Sequence, residues 1–274
     1  MSTGQAAMLG LIQGLTEFLP ISSIAHLRII PALLGWADPG APLSAVLQLG
    51  TLVAVLVYFA RDLGALTREA IRGLLRGRPL QSMEARLAWF ILIGTLPIGI
   101  AGLLFQDFIE GGGRSLSVIA SSLVGLALVL WLAEVRGSRR LAMDRIGFLQ
   151  SQAIGLAQAL ALVPGTSRSG VTITAGLFVG MTREAATRFS FLLGIPAILA
   201  SGLYKLTGLL GSGIEQIGWG DLLLGLAAAA ISGYAAIDFL LKYLRRHTTY
   251  IFIWYRIGLG LLLWGLIASG LVEA

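Results

Sequence analysis

The stretch "GLIQGLTEFLPISSIAH", residues 10–26, combines apolar residues with ionisable side chains and is interrupted by Pro20. Proline has no amide hydrogen to donate inside an α-helix, so a helix that reaches Pro20 ends or kinks there. Either half is shorter than the roughly 20 residues that a helix needs to cross a bilayer. The stretch therefore predicts two half-helices that enter the membrane and turn back, with Glu17 and His26 close to the turn.

A second stretch, "GLAQALALVPGTSRSGVT" at residues 155–172, repeats this plan. With a one-residue gap, Gly10, Gln13, Leu15 and Pro20 align with Gly155, Gln158, Leu160 and Pro164. Residues 92–102 and 192–202 show a further likeness. We expect residues 4–35 and 148–181 to form two re-entrant helix pairs, whose non-helical turns lie at membrane depth and are covered by protein. The chain is thus predicted to be an internal duplication.

The composition indicates that most of the chain lies in lipid. Of its 274 residues, 56% are hydrophobic and 12% are charged, and the mean hydropathy is +0.85, whereas soluble domains carry about 25% charged residues. Six further stretches are long and apolar enough to span a membrane: residues 43–60, 87–105, 116–133, 187–209, 219–241 and 251–271. We expect one all-α polytopic membrane domain over residues 1–274. The sequence has no cysteine, which excludes disulfides and thiolate metal sites.

Three spans follow each re-entrant pair, and this order predicts an inverted repeat. A re-entrant pair returns the chain to the side from which it came, and three crossings then leave it on the opposite side. The second copy, approximately residues 145–274, is therefore expected to be upside down relative to the first, approximately residues 1–140. Transporters are often built from such repeats, with broken helices that meet near the bilayer midplane.

The basic residues predict which side faces the cytoplasm. Alternate connections contain Arg61, Arg68, Arg72, Arg76, Arg78, Arg86, Arg136, Arg139, Arg140, Arg145, Lys242, Arg245 and Arg246. The other connections, residues 106–115 and 210–218, contain only Arg114. By the positive-inside rule the first set is cytoplasmic, so both termini and the opening of the first re-entrant pair are predicted to be external. Basic loops also account for the net charge of +6, and we expect no nucleic-acid partner.

The first turn carries residues suited to acid–base and nucleophilic chemistry. Ionisable groups inside a membrane cost about 2.5–3.5 kcal/mol on insertion scales and usually mark function. Gln13 and Glu17 share one face of the first half-helix. Ser23 and His26 share a face of the second, and Ser22 precedes them as a helix cap or a phosphate contact. The turn is predicted to bring Glu17 near Ser23 and His26.

The second turn carries residues suited to binding an anion. Arg168 stands near the predicted start of a half-helix, where free amide N–H groups and the helix dipole favour negative charge. The hydroxyl-bearing residues around it are Thr166, Ser167, Ser169 and Thr172. A guanidinium group with several hydroxyls suits a phosphate. We therefore predict a phosphate bound between the two turns.

Other polar residues in the apolar stretches are interpreted as structural. Arg28, Tyr255 and Arg256 lie near predicted span ends, where basic and aromatic side chains anchor helices at the membrane interface. Asp238 and Lys242 are four residues apart and predict a helix ion pair. A phosphate contact is the alternative for Arg28, and none of the five is expected to be catalytic.

The residues at both turns resemble those of the bacterial undecaprenyl-diphosphate phosphatases, the bacitracin-resistance proteins. The first motif of that family, a Glu or Gln followed by a second Glu, is similar to Gln13 and Glu17 in "QGLTEFLP". Its serine–histidine segment is similar to "PISSIAH" and its arginine motif to "PGTSRSGVT", and "TREAATRFSFLLGIPAI" at residues 182–198 extends the resemblance. Family members commonly have Glu where this chain has Gln13, and Thr-Gly where it has Ile24 and Ala25.

The resemblance implies hydrolysis of undecaprenyl diphosphate to undecaprenyl phosphate and inorganic phosphate in the bacterial inner membrane. Such a reaction recycles the carrier lipid for cell-wall synthesis and confers bacitracin resistance. The distribution of basic residues predicts that the site opens to the outer side. The resemblance also implies a divalent cation, Mg²⁺ or Ca²⁺, for which Glu17 is a possible ligand. A polyprenyl diphosphate lipid is the expected partner.

The sequence leaves two questions open. Ser23 is the expected nucleophile, with Glu17 or His26 as its base and Arg168 stabilising the transferring phosphoryl group. Attack by water or by His26 is also compatible with these residues. An inverted repeat with broken helices is, moreover, the architecture of lipid or small-anion transporters. The Ser, His, Glu and Arg set favours the enzyme, because a carrier needs an anion clamp but no nucleophile.

Overall fold

Twelve α-helices make up most of the computed structural model, which describes residues 2–212 and 218–272. In chain order they are α1 (Thr3–Glu17), α2 (Ser23–Leu34), α3 (Gly40–Tyr58), α4 (Ala60–Leu75), α5 (Met83–Leu104), α6 (Gln106–Glu110), α7 (Leu116–Arg136), α8 (Phe148–Gln158), α9 (Arg168–Phe178), α10 (Arg183–Ser212), α11 (Trp219–Leu244) and α12 (Tyr250–Ala268). Short 3₁₀ turns lie at Gly112–Arg114, Met143–Arg145 and Ala159–Leu162.

Six of these helices are long and apolar enough to cross a membrane: α3, α5, α7, α10, α11 and α12. They overlap the six predicted spans, which are therefore confirmed, and the described chain is an all-α polytopic protein. Most of the predicted external connection at residues 210–218 lies outside the described residues, as do Met1 and residues 273–274.

The two predicted broken helix pairs are present. The first break lies at residues 18–22, between α1 and α2. The second lies at residues 163–167, between the 3₁₀ turn after α8 and the start of α9. With 12 and 11 residues, α2 and α9 each rise only about 16–18 Å, too little to cross the hydrocarbon layer. Their entry into the membrane from opposite sides stays a prediction.

Glycine contacts bring the first helix of each pair close to a helix of the other half. Gly10 of α1 lies against Gly225 of α11, so closely that a Cβ atom at Gly10 would overlap the Gly225 carbonyl group. Gly155 of α8 lies in the same way against the backbone of Gly94 in α5. Small residues allow membrane helices to approach this closely. A side chain at either contact would push a half-helix away from its support.

The helix contacts cross between the two halves of the chain. In the first half α1 packs against α11 of the second, and α8 of the second packs against α5 of the first. The long helices also pair across the halves, α3 with α10 and α7 with α12. This exchange is compatible with a duplication, whereas the inverted orientation and the boundary near residues 140–145 stay predictions. Residues 92–102 and 192–202, which resemble each other in sequence, lie in α5 and α10. These two helices do not occupy equivalent positions, because α5 packs against α8 whereas α10 packs against α3.

A cluster of aromatic side chains packs beside the first turn. Phe18, the residue after α1, is fully buried, and its ring meets that of Phe191 edge-on at a centroid distance of 5.1 Å. Phe59 packs edge-on against Phe191 at 6.4 Å. Edge-on aromatic pairs contribute about 0.5–1.5 kcal/mol beyond their buried area. The cluster fixes the point at which α1 ends and therefore the position of Glu17.

Candidate active site

The same backbone feature begins the second helix of each pair. Ser22 caps α2 and Ser167 caps α9, with φ angles of 72° and 70°. Each serine hydroxyl accepts a hydrogen bond from a backbone N–H three residues later, that of Ala25 at 3.3 Å and that of Gly170 at 3.1 Å. A positive φ costs a residue with a Cβ atom about 1–2 kcal/mol. Both turns therefore hold a strained residue at the start of a helix.

The two caps show how the turns correspond. Ser22 and Ser167 are 145 residues apart, the same separation as the first glycines of the two quoted stretches. The turns therefore align without a gap, and the predicted one-residue gap is wrong. In this alignment Ser23 corresponds to Arg168, since each is the first residue of its helix.

Glu17 connects the two turns through three hydrogen bonds. Its Oε2 accepts from Ser23 Oγ at 2.6 Å and from Gln13 Nε2 at 2.8 Å. Its Oε1 accepts from Arg168 Nη2 at 3.2 Å. The predicted approach of Glu17 to Ser23 is thus observed, whereas both ring nitrogens of His26 bond to other groups. The side chains of Gln13, Glu17, Ser23 and Arg168 are all largely excluded from solvent.

Two helix N-termini converge on this group. Ser23 begins α2 and Arg168 begins α9, and both contact the same carboxylate. The unsatisfied amide N–H groups of a helix N-terminus carry about half a positive charge. Together with the guanidinium group they create a site for negative charge. A phosphate is chemically suited to it.

His26 lies one turn along α2, and its ring nitrogens bond elsewhere. The Ser22 carbonyl oxygen can only accept, so His26 Nδ1 donates to it, at 2.7 Å. His26 Nε2 lies 2.6 Å from the Tyr255 hydroxyl oxygen, and the two rings stack at 5.7 Å. A neutral His26 therefore accepts at Nε2 from Tyr255. Of the two bases left open by the sequence, Glu17 is the one bonded to Ser23.

The four hydroxyl residues of the second turn hydrogen-bond within the protein. Ser169 Oγ donates to the Leu19 carbonyl oxygen at 3.0 Å and so joins the two turns. Ser167 Oγ lies 3.1 Å from Ser169 Oγ. Thr166 and Thr172 donate to carbonyl oxygens one turn or less before them. These bonds hold the turn together, and a role in binding phosphate stays a prediction.

Arg256 holds both turns and was not predicted to do so. Its Nη1 donates to the carbonyl oxygens of Pro20 at 3.2 Å and Thr166 at 2.9 Å, one from each turn. Its Nη2 donates to the Gly165 carbonyl oxygen at 3.2 Å, and further bonds reach α7. Arg256 is only 1% exposed. The prediction of an interfacial anchor is therefore wrong for Arg256.

The prediction for Tyr255 was also incomplete. It was interpreted as an interfacial anchor, but its hydroxyl group contacts His26. A signal for Arg256 did exist, since an arginine within a predicted span usually has a function or a buried partner. No such signal existed for Tyr255, whose partner lies 229 residues earlier in the chain. The predicted ion pair between Asp238 and Lys242 is present at 2.7 Å.

Two polar atoms beside Glu17 have no hydrogen-bond partner in the protein: Gln13 Oε1 and Arg168 Nη1. Leaving a buried polar group unsatisfied costs about 1–3 kcal/mol. Gly194 gives the guanidinium group its space, because a Cβ atom there would overlap Arg168 Nη1. The protein therefore leaves one acceptor and one donor unsatisfied beside Glu17.

These groups also bear on the predicted divalent cation. Within residues 2–212 and 218–272, no cluster of three or more His, Asp or Glu side chains is placed to hold a metal ion. Glu17 offers a carboxylate, and Gln13 Oε1 is an unpartnered oxygen beside it. Mg²⁺ commonly binds to one or two carboxylates together with substrate phosphates. The residues therefore fit a cation shared with a bound phosphate, and dependence on Mg²⁺ or Ca²⁺ stays a prediction.

Known proteins resemble this chain over nearly its whole length. The family described as Bacitracin resistance protein BacA matches residues 6–262. A Myxococcus xanthus protein named Undecaprenyl-diphosphatase is 52% identical over 98% of this chain and 91% of its own length. Proteins of the same name from Chlorobium chlorochromatii and Chloroherpeton thalassium are 50% and 51% identical, over 100% and 98% of both chains, respectively. The chain therefore belongs to the bacitracin resistance protein BacA family.

Proposed function

We propose that this membrane protein hydrolyses undecaprenyl diphosphate to undecaprenyl phosphate and inorganic phosphate, and so returns the carrier lipid to cell-wall synthesis. Family membership and the name of the relatives support this substrate. The observation that carries the proposal is the contact of Glu17 with Ser23 of one turn and Arg168 of the other. A hydroxyl, a carboxylate and a guanidinium group in this order suit nucleophilic attack on phosphorus.

In the first step, Ser23 Oγ attacks the terminal phosphorus. A serine–phosphorus bond forms, the bond to the bridging oxygen breaks, and undecaprenyl phosphate leaves. The Ser23 proton passes to Glu17 Oε2, its hydrogen-bond partner at 2.6 Å. Arg168, whose Nη1 has no partner in the protein, stabilises the charge on the transferring group. A divalent cation at Glu17 would neutralise charge on both phosphates.

In the second step, water attacks the phosphoserine. Glu17 returns its proton to Ser23 Oγ as the serine–phosphorus bond breaks, and the atoms of the water leave with inorganic phosphate. His26 has a positioning role here, because Nδ1 holds the carbonyl group of Ser22 and thereby the first turn of α2.

We further propose that the protein lies in the bacterial inner membrane with the site open to the outer side.

The test measures phosphate release by purified protein in detergent from undecaprenyl diphosphate labelled in its terminal phosphate. Wild type should release phosphate, and Ser23→Ala should bind the lipid but release almost none. Ser22→Gly is the matched control, because glycine tolerates the positive φ and only the cap is lost. That loss is a few tenths of a kcal/mol. Digestion of trapped wild-type protein should place the label on Ser23.

Other results would change the proposal. Substantial hydrolysis by Ser23→Ala would leave water as the nucleophile, and label on His26 would move the nucleophile there. If wild type released no phosphate but moved the lipid across a bilayer, the protein would be a transporter.

A further inference from the structure

A cavity of about 460 Å³ lies beside α2, where the start of α3 and the turn before α7 meet it. Its lining includes Arg28, Asp38, Gly111, Gly112, Arg114 and Ser115. We call this space the arginine cavity. It is separate from the Ser23 group, although Arg28 and Ser23 lie on the same helix.

The arginine cavity holds more positive than negative charge. Arg114 Nη2 donates to Asp38 Oδ1 at 2.9 Å. Arg28 Nε lies 3.6 Å from Asp38 Oδ2, which is too long for a hydrogen bond. One carboxylate thus faces two guanidinium groups in the lining. Arg114 is 8% exposed, and the Nε atoms of both arginines lack a hydrogen-bond partner.

An excess guanidinium group in a partly desolvated cavity attracts an anion, because opposite charges interact more strongly there than in bulk water. The glycine backbone at Gly111 and Gly112 leaves room beside the arginines. The same fork geometry that suits carboxylates also suits phosphates. The sequence-based interpretation of Arg28 as an interfacial anchor does not account for its ion pair with Asp38.

We propose that the arginine cavity is a second phosphate-binding site. This inference rests on the proposed function, since Arg28 stands five residues after Ser23, about 7.5 Å further along α2. A phosphate group can reach the arginine cavity from two sources. One is the diphosphate head group of the lipid on its way to Ser23, and the other is inorganic phosphate on its way out.

Two substitutions of opposite sign test the site. Arg28→Gln removes one positive charge from the cavity. Asp38→Asn removes the competing negative charge and retains an acceptor for Arg114. We expect phosphate affinity to fall about tenfold in the first variant and to rise about tenfold in the second, with kcat unchanged in both. Arg246→Gln, which removes an exposed arginine of the predicted cytoplasmic loop, is the control and should change neither value.

The measured quantities distinguish the two sources. If inorganic phosphate uses the cavity, its inhibition constant changes in opposite directions while KM for the lipid stays constant. If the head group uses it, KM for the lipid changes instead. If Arg28, Asp38 and Arg114 only hold the turn in place, both variants lower the unfolding temperature. Neither the inhibition constant of phosphate nor KM for the lipid then changes in opposite directions in the two variants. That result would overturn the proposal.

Failure of the proposed function gives a different result. If wild type released no phosphate from the lipid, equilibrium dialysis with radiolabelled inorganic phosphate and radiolabelled lipid would still measure binding. Opposite responses of Arg28→Gln and Asp38→Asn for either probe would then support the cavity without the phosphatase. If wild type and both variants bound each probe equally well, the proposal that the arginine cavity binds phosphate would be overturned.

Discussion

Glu17 and Arg168 form a buried ion pair in which Arg168 Nη1 has no hydrogen-bond partner in the protein. Their side chains are 4% and 11% exposed, and Arg168 uses only Nη2 in the pair. Removing one partner of a buried pair leaves an uncompensated charge and costs about 3–5 kcal/mol. Substitutions that keep the charge are therefore the informative ones, because they separate folding from catalysis.

Arg168→Lys keeps the charge opposite Glu17 but loses the planar fork. We expect a folded protein whose phosphate release falls by about 10²–10³, the loss typical for one stabilising donor. The assay is phosphate release, with thermal unfolding as the check on folding. Activity close to that of wild type in a folded Arg168→Lys protein would contradict the assigned role.

Tyr255→Phe removes the hydroxyl bonded to His26 Nε2 and keeps the stacked ring. One hydrogen bond contributes about 1 kcal/mol, so we expect activity to fall about fivefold. Tyr250→Phe, on the same helix, is the matched control and should have no effect. A loss as large as that of His26→Ala would show that the Tyr255 hydroxyl takes part in the reaction instead of positioning His26.

The sequence predicted the residues of the site that are close in the chain. Helical spacing alone places Gln13 one turn before Glu17, and the break at Pro20 returns the chain to Ser23. Contact with Arg168 followed from the repeat. Tyr255 could not be found in this way, because its contact with His26 depends on how α12 packs against the turns.

At the scale of elements, each turn exposes carbonyl groups that no helix satisfies. The last carbonyl oxygens before a helix break have no partner within the helix, and water cannot satisfy them when they are buried. Arg256 donates to carbonyl groups of both breaks. Hydropathy located the spans and the breaks, but it carries no information about this donor.

Arg256→Lys should destabilise the fold. A guanidinium group has five N–H donors and an ammonium group three, so buried carbonyl groups lose partners. We expect the free energy of unfolding to fall by about 2–5 kcal/mol, measured by denaturation in detergent. Arg246→Lys, at an exposed position, is the matched control. A stability equal to that of the control would show that water or neighbouring groups replace the lost donors.

At the scale of the whole molecule, the predicted orientation in the membrane rests on the distribution of arginine and lysine residues alone. Cysteines placed at Ser2 and Ala274 of this cysteine-free chain should react with an impermeant thiol reagent in intact cells. A cysteine at His247, in the predicted cytoplasmic loop, should react only after the membrane is opened. The opposite labelling pattern would reverse the predicted topology and move the site to the inner side.

The crossed packing of the halves was only partly predictable. The duplicated stretches indicated two similar turns, and the pairing of α1 with α11 and α8 with α5 gives them similar supports. The alignment gap was wrong because proline positions were matched, whereas the backbone is set by the caps Ser22 and Ser167. Side-chain identity at a turn is a weaker guide than the backbone angle that the turn requires.

The shared guanidinium group of Arg256 has a consequence for the two leaflets of the bilayer. Carriers built from inverted repeats alternate by rocking one half against the other. Here the buried Arg256 side chain joins the two turns, as Glu17 and Ser169 also do. The site should therefore stay open to a single leaflet throughout turnover. Vesicles can be prepared with uniformly oriented protein and with substrate in both leaflets. Hydrolysis should then consume the substrate in the leaflet to which the site opens and leave the substrate in the other leaflet unchanged. Consumption of the substrate in both leaflets would show that the protein moves lipid between them. If the substrate in the second leaflet persists, the cell needs a separate route to carry the product lipid back across the membrane.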